Sequence, residues 1–90
     1  MQRNTGVEEL TVDVSAIRQI LTQYGRIAVD ANTLREDSDL YEAGLTSLAT
    51  VNVMLALENH FDIEFPDAML GRKTFSSLES IADAVAELVR

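Results

Sequence analysis

Leu45-Thr46-Ser47-Leu48-Ala49-Thr50-Val51-Asn52-Val53-Met54-Leu55-Ala56-Leu57-Glu58-Asn59-His60-Phe61 carries apolar residues at helical intervals and predicts a helix from about Ser47 to Phe61. At about 100° per residue, Val53, Met54, Leu57 and Phe61 share the side expected to face a core. Leu48, Asn52, Leu55 and Asn59 share the opposite side. Two leucines among amides on a solvent face suit docking to a partner, whereas isolated surface leucines, or leucines covered by a neighbouring loop, need no function. Ser47 stands where loop becomes helix. A serine there commonly does no more than accept a hydrogen bond from a free backbone N–H; the functional alternative is chemistry at its hydroxyl.

Upstream, Leu10, Val14, Ile17, Leu21 and Tyr24 recur at helical spacing, with Ile20 beside them and Gly25 placed to stop the run. Between Gly25 and Ala43 there is no helical stripe, only Leu34, Leu40 and Tyr41 among turn formers and acids. A loop this long inside a small domain is uncommon unless it is functional. Downstream, Pro66 and Gly71 bracket one short turn. Ser76 and Glu79 have the spacing of a capping box for a last helix whose buried stripe is Leu78, Ile81, Ala82, Val85, Leu88 and Val89. The expectation is an all-α fold: a bundle of three main helices plus one short helix, with a long loop between the first and second. Residues 1–9 are expected to be a flexible N-terminus and 10–90 a single domain.

Ninety residues bury a modest core and leave little material for an enclosed active site. Fifteen acidic against seven basic residues, net charge -8, disfavour nucleic acid or an anionic membrane as the main partner and suit a partner with a basic surface. With no cysteine, disulfides and thiolate metal sites are excluded, and any thiol chemistry needs a sulfur from outside. The N-terminus lacks the apolar segment of a signal peptide, and no apolar run approaches the ~20 residues of a membrane span, so a cytoplasmic location is expected.

Catalytic readings lack a constellation. His60 is the only histidine, and on one helix it lies ~20 Å from Ser47, too far for a nucleophile and its base. Asp30 to Arg35 has the opening of a calcium loop, yet the sixth position is Arg35 rather than Gly and the twelfth is Tyr41 rather than Glu; no metal site is assigned. Glu36, Asp37, Asp39 and Glu42 form either a solvated loop face or a surface read by a basic partner.

Taken together, Asp39-Leu40-Tyr41-Glu42-Ala43-Gly44-Leu45-Thr46-Ser47-Leu48, then Val51, Ala56-Leu57-Glu58, Phe61 and Ile63-Glu64-Phe65-Pro66-Asp67, closely resemble acyl carrier proteins. The resemblance runs from the first helix to the C-terminus. It implies the acyl-carrier bundle, and at Ser47 a 4'-phosphopantetheine arm that a phosphopantetheinyl transferase moves from coenzyme A, leaving a phosphodiester that ends in a thiol. The missing cysteine then fits, because the cofactor supplies the sulfur. The resemblance implies a carrier and no catalytic residues: partner enzymes load the thiol as a thioester and act on the tethered cargo. A phosphodiester at a helix N-terminus meets free N–H groups and the positive end of the helix dipole.

Many members of that family have Asp where this chain has Thr46, and acids along the docking face where it has Ala49, Asn52 and Asn59. Thr46 can still cap the helix. Thr46-Ser47-Leu48 with Phe65-Pro66-Asp67 is similar to specialised carriers, including those charged with amino acids by synthetase-like ligases. Amino-acid cargo is therefore expected, with fatty-acyl or polyketide cargo as the alternative and an unmodified helical adaptor as the rival of another class. The expected partners are the transferase, an acyl- or amino-acid-activating ligase and a downstream acyltransferase, with no nucleic acid or membrane and the chain a monomer. The docking residues would be Thr46, Leu48, Val51, Asn52, Leu55, Glu58 and Asn59.

Overall fold

A computed structural model describes residues 12–27 and 29–89. Asp13 caps the first helix, α1 (Val14–Ile20), by accepting from the Ser15 N–H at 2.9 Å. Ile17 and Ile20 turn into the core. The helix then loosens into a π-turn over Leu21–Gly25, and the left-handed residue that ends it is Arg26, at φ 52°. The run stops where Gly25 foretold, for another reason: Gly25 is buried, and a Cβ there would stand 3.3 Å from Leu21 Cδ2 and 3.7 Å from Leu45 Cδ1. Its value is close approach rather than the turn itself. Leu10 and the expected boundary at residues 9/10 lie outside the described residues.

The stretch after Gly25 is far from slack. Asp30 caps a 3₁₀ turn at Ala31–Thr33. Arg18 on α1 donates to the carbonyls of Ala31 and Leu34 at 2.6 and 2.8 Å. Farther on, the Leu40 N–H donates to the Ser76 carbonyl at 2.7 Å and the Glu79 N–H to the Glu36 carbonyl at 2.9 Å, tying the loop to the start of the last helix. Ala31, Leu40 and Leu45 are core residues. This loop is fixed by backbone hydrogen bonds and three buried side chains, neither of which leaves a periodic signature.

The second helix, α2 (Ser47–Phe61), keeps its expected bounds. Val53 and Leu57 are fully buried, and Met54 and Phe61 pack against the core from its edge. Asp62, left-handed at φ 55°, ends it. Pro66 precedes a 3₁₀ turn at Asp67–Met69 rather than standing inside it, and the turn closes before Gly71. The last helix, α3 (Leu78–Val89), buries Leu78, Ile81 and Val85; Ala82 and Leu88 flank them, and Val89 is 41% exposed and leaves the stripe. Its capping box is one residue later than the spacing indicated. Ser77 and Ser80 exchange hydrogen bonds, each side-chain oxygen accepting from the other's N–H at 3.0 Å, while the Ser76 hydroxyl turns back to the Lys73 carbonyl.

α1 packs on both other helices, its π-turn against α2. The described residues thus form the expected three-helix bundle, with short 3₁₀ turns and no strand.

Candidate functional site

The site is built by the turn that precedes α2. Asp39 accepts from the N–H groups of Tyr41 and Glu42, and Gly44, at φ 116°, donates to the Tyr41 carbonyl. That φ is costly for any residue with a Cβ. It lets Leu45 double back, donate to the Leu40 carbonyl at 3.0 Å and drop into the core. The next two residues are thereby held at the surface.

Thr46 is the N-cap. Its Oγ1 accepts from the Ala49 N–H at 3.0 Å, and its backbone is extended at φ -96°, ψ 166°. Ser47 is therefore the first helical residue and not the cap. Its side chain is exposed, so the bland explanation of a serine at this place is already taken by its neighbour. The first-turn N–H groups of Ser47 and Leu48 have no partner within the helix, and that turn carries no acid. An anion attached to Ser47 Oγ would meet those donors and the positive helix end with no carboxylate opposing it on the same turn.

Beside Ser47 lies an open cleft of about 330 Å³ lined by Tyr41, Thr50, Val51, Leu70, Arg72 and the buried Phe75. Sequence reasoning missed it. Its walls come from the turn before α2, from α2 itself and from the loop before α3, and only the helical part has a period to read.

Leu48, Val51 and Leu55 are 77%, 48% and 53% exposed. Their spacing of three and four places them on one outward face, with the exposed Asn52 and Asn59 alongside. Two expected members of that face do other work. Glu58 accepts from the Phe65 N–H at 2.9 Å, holding the chain as it leaves α2, and Thr46 spends its side chain on the cap. Ala49, read as a docking-face position, is instead 4% exposed and belongs to the core with Val53 and Leu57. It lies four residues before Val53, so helical phase puts it inside.

His60 is exposed in the last turn of α2, its ring edge-on to Phe61 at 4.7 Å, at the far end of the helix from Ser47. Among the loop acids, Asp37 takes both the Nε and an Nη of Arg35 at 3.1 and 3.2 Å. That hydrogen bonding, and then the Arg35 charge, hold its carboxyl below the usual carboxylate range. Among the described residues no group of three or more His, Asp or Glu is placed to hold a metal ion, and no helix is long and apolar enough to cross a membrane.

The site is thus an exposed hydroxyl opening a long helix on a small helical bundle, beside an open cleft. Residues 15–85 match the family described as phosphopantetheine attachment site, and the chain belongs to that family. The cofactor of its carriers is 4'-phosphopantetheine. Over 71 residues the chain is 46% identical to an aminoacyl carrier protein of Agrobacterium fabrum, covering 79% of this chain and 86% of that one. Over 53 residues it is 42% identical to a D-alanyl carrier protein of Streptococcus mutans, covering 58% of this chain and 67% of that one. In the solved structures it superposes, with a TM-score of 0.81 and 44% identity, on the carrier protein from Agrobacterium tumefaciens complexed with an engineered Bradyrhizobium japonicum glycine:[carrier protein] ligase and ATP, covering 83% of this chain and 97% of that one.

Proposed function

We propose that Ser47 carries the phosphopantetheine arm and that the cargo is an amino acid, held as a thioester and delivered by the chain without catalysis of its own. In the attachment step the Ser47 oxygen bonds to the pantetheine-bearing phosphorus of coenzyme A. The pyrophosphate P–O bond breaks, the nucleotide half leaves, and the hydroxyl proton passes to a base of the phosphopantetheinyl transferase. The observation that carries the assignment is the division of labour at the start of α2: Thr46 caps, and Ser47 is exposed and unencumbered.

Amino-acid cargo is supported by the aminoacyl and D-alanyl carriers among the relatives and by the glycine ligase bound to the structural neighbour. The amides Asn52 and Asn59 support it too, because the basic patches of fatty-acid enzymes would find no acid at those positions; with Ala49 buried, the reading rests on those two. Leu48, Val51 and Leu55 form the docking strip for the ligase and for the acyltransferase that takes the cargo onward. These partners and the thiol chemistry belong to the cytoplasm.

The cargo is tested by offering the arm-bearing protein to amino-acid-activating ligases and to fatty-acyl loading enzymes of one host and weighing the products. Aminoacyl thioesters are expected. Efficient loading with long acyl chains, and none with amino acids, would overturn the cargo and leave the carrier assignment standing.

A further inference from the structure

The Arg72 guanidinium sits over the Tyr41 ring, its central carbon 4.0 Å from the ring centroid. A guanidinium carries five N–H donors, and a cation–π contact leaves several of them to donate. Among the described residues the one ion pair is Arg35–Asp37, and no described carboxylate lies within 4.0 Å of Arg72. In a chain of net charge -8, this cation is held on the wall of the cleft that also contains Ser47. The other walls, Val51, Leu70 and Phe75, are apolar, and the Thr50 hydroxyl donates to the Thr46 carbonyl at 2.7 Å, keeping its lone pairs for an incoming donor.

Resting on the assignment of the arm to Ser47, we propose that this cleft is the seat of the arm's first segment. Arg72 donates to the non-bridging phosphate oxygens, and the dimethyl-bearing carbon, one methylene from the phosphate ester oxygen, packs on Val51 and Leu70. The occupant is named by connectivity, since its point of attachment lines the cleft. The volume falls at the small end of the ~300–1,000 Å³ typical of ligand clefts, suiting one segment of the arm and leaving the thiol end outside to reach partner enzymes. Tyr41 is a positioning residue here: its ring holds the guanidinium at the cleft wall. An exposed contact between guanidinium and phosphate is screened by salt over a Debye length of about 8–10 Å near physiological ionic strength, so the seat holds the arm at rest and releases it readily to a partner.

The test compares arm-bearing wild type, Arg72→Gln, Arg72→Lys and Tyr41→Leu, each first weighed intact to establish that the arm is on, by phosphorus, amide and methyl NMR. In the wild type, addition of the arm should shift the Arg72 Nε–H and the Val51 and Leu70 methyls. Salt should move the phosphorus resonance toward the position it has in Arg72→Gln, with Arg72→Lys and Tyr41→Leu between the two. Should Arg72→Gln fold poorly, the salt titration of the wild type and the Lys variant still decide. An identical phosphorus resonance in all four proteins, insensitive to salt, would overturn the seat while leaving Ser47 as the attachment point. A wild type that gains no arm would overturn both.

Discussion

The helices α2 and α3 both pack against α1, yet they dress their outer faces in opposite ways. α3 buries Leu78, Ile81 and Val85 and exposes acids, Glu79, Asp83 and Glu87, so a single apolar stripe accounts for it. α2 buries Ala49, Val53 and Leu57 and still exposes Leu48, Val51 and Leu55. Folding explains α3 up to its exposed last residue, Val89. It explains only half of α2, and the remainder is a solvent-facing apolar strip that begins next to Ser47, the strip proposed above for docking a partner.

Truncating the inner face of α2 should show the largest effect on stability. Leu57→Ala removes a fully buried side chain and should cost about 2–5 kcal/mol in a denaturant titration. On the outer face, Leu48→Ala and Leu55→Ala should stay within about 0.5 kcal/mol of wild type. The same two variants should lower loading by the cognate ligase by roughly tenfold or more, as expected for anchors near the centre of an interface. Comparable unfolding by Leu55→Ala and Leu57→Ala would erase the distinction between the two faces.

Thr46→Ala sharpens the account of the helix start. Losing the bond to the Ala49 N–H should cost about 1 kcal/mol, whereas Ser47→Ala, which removes no cap, should leave the melting temperature unchanged. The smallest effects belong to the charged surface. Moderate salt should raise the melting temperature slightly by screening the excess of acids. The Arg35–Asp37 pair works in the other direction and weakly, being exposed. Because the Asp37 carboxyl is held below its ordinary value, the pair's contribution is present above the unfolded value of about 3.9 and fades as pH falls through the lower folded one. A thermal melt of Arg35→Ala should barely differ from wild type at neutral pH and not at all once Asp37 is protonated.

Periodicity made α2 and most of α3 legible, because a side chain's place on a helix follows from its number alone. It failed where tertiary contacts decide. Glu58 falls on the outer half of α2 by phase, yet its flexible side chain reaches forward to the Phe65 N–H. The serines at 76 and 77 offer two capping registers to any pattern search, and the Ser80 hydroxyl, which also donates to the Thr74 carbonyl, selects the second. Analogy with acidic docking faces puts Ala49 outside, whereas its spacing of four to Val53 puts it inside, where it is buried. The cleft wall at Tyr41 and Arg72 joins two loops far apart in sequence, and no local signal announces that meeting. Ser47 stands out in the sequence by its spacing from Leu40 and Gly44 to the Leu57-Glu58 and Pro66-Asp67 pairs; that Thr46 and not Ser47 makes the cap is a matter of geometry.

The attachment of the arm is most directly tested by incubating wild type and Ser47→Ala with coenzyme A and a phosphopantetheinyl transferase and weighing both proteins intact. The account predicts that the wild type gains the mass of one arm and that Ser47→Ala, folded to the same melting temperature, gains none. A Ser47→Ala protein that still takes up an arm, or a wild type that never does, would contradict it.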